Sequence, residues 1–194
     1  RYSDYTIREY IRNFIMSKLE TNTIDTVSGT TNLVIGSTNS STVTFESGAA
    51  TGQNYPGFMA TQNATQNIAN NTITKIQFQS KSWDTDSAFD NTTNYRFTIP
   101  SGKAGKYVFF YATRINSLGN GDIFQLQIYK NGTLENRSRQ ISTMGLADNG
   151  VIRAQFADDG SVGDYYEVFV QHNYGVARDL NLAFSNFVGY RIGA

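Results

Sequence analysis

Cysteine is absent from the 194 residues, which excludes both a disulfide framework and a thiolate-held metal. Proline occurs only at Pro56 and Pro100, and histidine only at His172. One imidazole cannot build a histidine-cluster metal centre. Any Ser-His-Asp arrangement would have to use His172, whose neighbours are Gln171 and Asn173. Neither a G-x-S-x-G elbow nor a G-x-x-x-x-G-K-[ST] phosphate loop is present. His172 therefore reads as a structural residue. No run of about 18 apolar residues is available to span a membrane as a helix. Sixteen basic residues balance sixteen acidic ones, so the charge footprint of a nucleic-acid binder is missing. No cationic-then-apolar secretory segment opens the chain, and its start at Arg1 rather than Met leads us to expect residues upstream.

What the sequence does have is aromatic side chains: 13 Phe and 12 Tyr, residue types that favour strands and interfaces. Three regions differ in composition. Residues 1–21 open with Thr6-Ile7-Arg8-Glu9, the form of a capping box. Ile7, Tyr10, Ile11, Phe14, Ile15 and Leu19 then recur at helical spacing, which predicts an amphipathic helix with one apolar stripe. That stripe is a candidate docking surface, against the rest of the chain, copies of itself or another protein. Residues 22–56 are rich in Ser, Thr, Asn and Gly, with short β candidates at Leu33-Val34-Ile35 and Thr42-Val43-Thr44-Phe45. This region is expected to be a linker or a β-rich stem.

Residues 57–194 read as successive strands. Tyr95, Phe97 and Ile99 alternate with polar residues. Tyr107 to Ala112 is apolar on both faces, and Ile123–Tyr129, Val151–Phe156, Tyr165–Gln171 and Leu180–Ile192 follow. Asn131-Gly132 is a type I′ hairpin signal, and Asp158-Asp159-Gly160 is expected to turn the chain. Many short strands without an internal helical pattern predict an all-β sandwich or jelly roll.

Several motifs in this region occur in a recognisable order. They are Phe89-Asp90-Asn91 with Tyr95, Phe97-Thr98-Ile99-Pro100, Gly105-Lys106-Tyr107-Val108-Phe109, Lys130-Asn131-Gly132, Gly163-Asp164 with Val168, and Phe184-Ser185-Asn186-Phe187. The stretch from Trp83 to Gly193 resembles the globular head of complement C1q and the tumour-necrosis-factor-like superfamily. Asn186 stands where that family usually has Gly, and no collagen-like stem precedes the head. The resemblance implies a ten-stranded jelly roll packed as a homotrimer. It makes Tyr107, Phe109, Tyr111, Phe184 and Phe187 candidates for core or trimer contact.

Candidate chemistry is sparse. Asp84 with Asp86, and Asp158 with Asp159, offer oxygen ligands of the kind calcium takes, but neither pair has the spacing of a twelve-residue calcium loop. Solvated turn aspartates are the simpler reading, and no cofactor is expected. Asn-x-Ser/Thr triplets such as Asn63-Ala64-Thr65 follow from an Asn- and Thr-rich composition. Helix, polar stem and trimeric head together suggest a non-enzymatic bacteriophage virion protein, either a tail fibre or receptor-binding knob or a head decoration protein. Its expected partners are other virion proteins through the N-terminal helix and a host surface glycan or receptor. A bacterial surface or spore-coat knob and a secreted receptor ligand are the alternatives, with an extracellular or cell-surface location.

Overall fold

In a computed structural model, residues 55–143 and 148–193 are described. The expected helix of 1–21, with its stripe from Ile7 to Leu19, and all of the expected stem of 22–56 except Tyr55 and Pro56 lie outside the described residues. The described chain is all β, with two single 3-10 turns at Asn136–Ser138 and Leu182–Phe184. Its strands are β1 (Gly57–Thr61), β2 (Asn67–Ile68), β3 (Thr74–Lys75), β4 (Ser80–Asp84), β5 (Phe89–Asp90), β6 (Arg96–Thr98) and β7 (Gly105–Leu118). They continue as β8 (Ile123–Lys130), β9 (Thr133–Leu134), β10 (Gln140–Thr143), β11 (Asp148–Gly160), β12 (Tyr165–His172), β13 (Arg178–Asp179) and β14 (Asn186–Gly193).

Two antiparallel sheets form the layers. One has the order β11-β7-β14-β1-β4, and the other follows the path β10-β8-β12-β6-β5, with β3 and β9 added at its flanks. The described residues form fourteen strands, of which β2, β3, β5, β9 and β13 are two-residue segments. β2 and β13 pair separately.

The core follows from the period of two along each strand. β7 sends Tyr107, Phe109, Tyr111, Thr113 and Ile115 inward, all essentially without solvent exposure. β14 adds Phe187, β1 adds Phe58 and Ala60, and the facing sheet adds Phe124, Leu126, Ile128, Tyr166, Val168 and Val170. Phe58 lies at the centre of an aromatic cluster, with ring centroids 4.9 Å from Phe89, 4.7 Å from Phe97 and 4.9 Å from Phe187. Offset and edge-on contacts of this kind add to the area these rings remove from water. Gly189 is required by that cluster, because a Cβ there would come within 2.6 Å of Phe109 and 2.7 Å of Phe58.

Two sequence expectations need correction. The Asp158-Asp159-Gly160 segment does not turn the chain: β11 pairs with β7 through Gly160, and the turn follows at Ser161–Asp164. Gly160 serves close packing instead, since a Cβ would lie 2.3 Å from Ile99 Cδ1. Leu180–Ile192 is not one strand: Leu180 makes an isolated bridge, Leu182–Phe184 is a 3-10 turn with Asn181 Oδ1 accepting from Ala183 N–H, and β14 begins at Asn186. Strands β1 and β4 also went unseen, because five-residue segments give little periodic signal. The Asn131-Gly132 hairpin has the geometry its sequence requires, with φ of 52° and 76°.

The Asp90 carboxylate organises the turn into β6. It accepts from the backbone N–H groups of Thr93, Thr92 and Asn94 and from the Asn94 side-chain amide. These donors, Thr93 and Thr92 foremost, hold its pKa well below the usual carboxylate value. A depressed folded-state pKa stabilises the fold above the unfolded value of about 3.9, and that stabilisation disappears as pH falls through the folded value. Asp90→Ala is therefore expected to be less stable than the parent at pH 7, with the gap closing below about pH 4. Urea titrations across pH measure this, and a gap independent of pH would contradict the assignment.

Candidate assembly face and arginine-lined cleft

Burying the odd residues of β7 forces its even residues onto the other face of the sheet. Cross-strand register then aligns them into rows. Ala157, Val108 and Tyr190 form one row, and Gln155, Phe110, Val188, Met59 and Trp83 form the next. Arg153, Ala112, Asn186 and Thr61 form the third. The first two rows are almost wholly apolar. Phe110 and Tyr190 are stacked with centroids 6.1 Å apart, yet each is about two-fifths exposed: 39% and 40%. Trp83 is 41% exposed and Ile192 56%. Trp83 lies over Gly57, where a Cβ would meet its ring at 2.8 Å. Soluble monomers seldom expose contiguous aromatic surface of this kind, whereas protein interfaces concentrate Tyr, Trp and Phe.

The polar row ends in a cleft of about 520 Å³, whose lining includes Phe110, Asn186, Gln155, Arg153, Arg137 and Arg139. The 3-10 turn at Asn136–Ser138 places Arg137 over the Phe156 ring. Both Nε and Nη2 of Arg139 donate to Gln125 Oε1, at 3.0 and 2.5 Å. Tyr111, whose hydroxyl donates to the Ser138 carbonyl, ties this turn to the core.

The five candidate contact residues separate. Tyr107, Phe109, Tyr111 and Phe187 are fully buried within one chain, between its own sheets. Burial is the main reason that the pKa of the Tyr107 hydroxyl is pushed up to about 12 and that of Tyr111 higher still. Phe184 lies outside that cluster, in the 3-10 turn, with the Arg114 guanidinium 4.8 Å above its ring. The residues available to a partner, Phe110, Val188, Tyr190 and Trp83, were not singled out from sequence. The apolar-on-both-faces run of β7 was the signal for them.

The other candidates are engaged structurally. Asp84 accepts from Lys81 Nζ and from the N–H groups of Ala88 and Phe89. Asp86 accepts from the Thr85 hydroxyl. Asp158 accepts from Lys130 Nζ at 2.7 Å and from the Tyr166 hydroxyl at 2.9 Å, and Lys130 also pairs with Asp164 at 3.0 Å. Burial alone would lower the Lys130 pKa, but the two carboxylates outweigh it and raise it. Asp159 is exposed on β11 rather than at a loop tip. Among the described residues no group of three His, Cys, Asp or Glu side chains converges as a metal site would. His172 is 1% exposed, with Nε2 3.0 Å from the Ile68 carbonyl and Nδ1 accepting from Tyr174 N–H. This pattern places the proton on Nε2, and both ring nitrogens are committed to backbone groups.

Two solved structures share this architecture. The globular domain of zebrafish complement 1qA protein matches 71% of this chain and 97% of its own, at 17% identity and a TM-score of 0.52. Murine APRIL, crystallised at pH 5.0, matches 70% of this chain and 97% of its own, at 12% identity and a TM-score of 0.51. The fold is the C1q and tumour-necrosis-factor-like jelly roll. At these identities the likeness establishes the fold alone. No protein-family model and no curated protein matches the chain. Among the described residues no helix is long and apolar enough to cross a membrane.

The two phenylalanines of the closing motif should separate in stability. Phe187→Ala is expected to cost about 3–5 kcal/mol, as for a buried ring. Phe184→Ala, at a half-buried turn position, should cost less, about 1–2 kcal/mol, the scale of a cation–π contact with part of its ring desolvated. Chemical denaturation measures both, and equal losses would contradict this placement.

Proposed function

We propose that this chain is a non-catalytic, homotrimeric structural or binding protein of a bacteriophage particle. It would serve as a tail-fibre or receptor-binding knob or as a head decoration protein. The observation that supports this most is the exposed apolar face built on Val108, Phe110, Val188, Tyr190 and Trp83. A heterologous contact repeated around a threefold axis buries such a face on every copy without leaving a free end. Aromatic anchors at its centre suit it to be the energetic focus of an interface. The non-catalytic reading draws support from the engagement of His172 and of the Asp84 and Asp158 carboxylates in structural contacts.

The virion assignment draws on the N-terminal region. The stripe of Ile7, Tyr10, Ile11, Phe14, Ile15 and Leu19 would dock the chain on other virion proteins and leave the head free for a host glycan or receptor. A trimeric head multiplies weak contacts with a repetitive host surface. A second reading, an extracellular or cell-surface ligand of the same fold, is favoured by the zebrafish and murine sources of the two similar structures. Removal of residues 1–20 separates the two. A trimer that no longer appears in purified particles, by mass spectrometry, is the expected result. Incorporation equal to that of the whole chain would contradict the docking role.

A further inference from the structure

We infer that the Asn120-Gly121 turn between β7 and β8 is a self-modification site, at which Asn120 converts to aspartate and isoaspartate with water as the only other reactant. The chain holds three Asn-Gly pairs, at 120, 131 and 149. Glycine after asparagine favours this chemistry because no Cβ obstructs the approach of its backbone nitrogen to the neighbouring side-chain amide. The Gly121 nitrogen attacks Asn120 Cγ and gives up its proton to solvent. A C–N bond forms, the Cγ–Nδ2 bond breaks, and the amide nitrogen leaves as ammonia. Water then opens the resulting succinimide at one of its two carbonyls. The product is either an ordinary aspartate or an isoaspartate, whose backbone runs through the side chain.

What separates the three pairs is how tightly each is held. The Gly119 carbonyl accepts from Asp122 N–H at 3.3 Å, which leaves Asn120 and Gly121 at the two central positions of a turn. Asn120 is exposed, and among the described residues neither its side-chain amide nor the Gly121 N–H has a hydrogen-bond partner. Gly121 has φ of 86° and open space where a Cβ would stand. Asn131 has the same neighbour and the opposite surroundings. Its Nδ2 donates to Asp164 Oδ1 at 2.8 Å, a charge-assisted bond, and its Oδ1 accepts from Tyr165 N–H at 2.9 Å. Its own N–H donates to the Tyr165 carbonyl at 3.0 Å. Swinging Cγ of Asn131 toward the Gly132 nitrogen breaks both side-chain bonds, so ring closure there waits for local opening of the hairpin. Asn149-Gly150 lies in β11, where Gly150 pairs with Ile115 and the ladder holds the backbone extended. Conversion at Asn120 adds a carboxylate close to Asp122, whose Oδ2 accepts from the Gly119 N–H at 2.5 Å. The isoaspartate form also lengthens the β7–β8 connection by a methylene.

Peptide mapping by mass spectrometry tests the inference on the full chain, stored folded in mildly alkaline buffer and, in parallel, unfolded in urea. Cleavage after Arg114, Lys130 and Arg137 by trypsin puts Asn120 in peptide 115–130 and Asn131 in peptide 131–137. In the folded chain, amide-to-acid conversion located by fragmentation at Asn120 is expected to run roughly tenfold or more faster than at Asn131. Enzymatic methylation should detect isoaspartate in the first peptide. In urea the two rates should converge, with Asn120 converting about as fast as it does in the folded chain. Asp164→Ala removes the carboxylate acceptor and should speed conversion at Asn131 while leaving Asn120 unchanged. The folded and unfolded parent decide the matter even where that variant does not fold. Equal rates at Asn120 and Asn131 in the folded chain, or an Asn120 that converts in urea and is protected by folding, would overturn the site.

Discussion

Strand β7 is apolar on both faces, and a two-layer sandwich can bury only one of them inside a single chain. Tyr107, Phe109, Tyr111 and Ile115 fill the interior against Phe58, Phe187 and Tyr166, where they are sealed from solvent. That choice is fixed by neighbours on β14 and in the 3-10 turn: Gly189 leaves space for Phe109, and the Ser138 carbonyl accepts from the Tyr111 hydroxyl. A slip of one residue would turn the entire set outward. With the register fixed, Val108 and Phe110 have nowhere to go but the outer surface, and β14 extends that surface with Val188 and Tyr190. Fold and proposed assembly therefore depend on the same alternation.

The sandwich also contains charge, and it manages that charge by pairing. Lys130 on β8 reaches across to Asp158 on β11 and to Asp164 in the following turn, while Tyr166 donates to the same Asp158 oxygen. The pairing ties the two sheets together at one end and explains how two adjacent acidic residues can lie within a strand. Asp158 points toward this network, and Asp159 points away from it. Arg137, in the 3-10 turn, joins the same cluster, 3.8 Å from Asp158 and 3.7 Å from Glu135.

Much of the fold was legible because its motifs are local. The Asn131-Gly132 turn, the alternation around Phe97 and the strand runs of β7, β8 and β12 each carry a signal within ten residues. Segments whose role depends on distant partners were not legible. Gly160 looks like a turn glycine in sequence, yet Ile99, sixty-one positions earlier, decides its role. β1 pairs with the edge of β14 and β4 in turn with β1, with Gly57 making room for Trp83. The contact candidates were chosen on the correct strand, but sequence alone could not say which of its two faces the second sheet would cover. The arginine cleft draws on β7, β11, β14 and the 3-10 turn at Asn136–Ser138, and no single stretch of sequence announces it.

The central claim is that the outward face of β7 and β14 holds copies of the chain together. The most direct test is the mass in solution, by light scattering during size exclusion, of the full chain and of Val188→Asp. The account predicts three chains for the parent and one for the variant, with the β-sheet circular dichroism of the two unchanged. A monomeric parent, or a variant that remains trimeric, would contradict it.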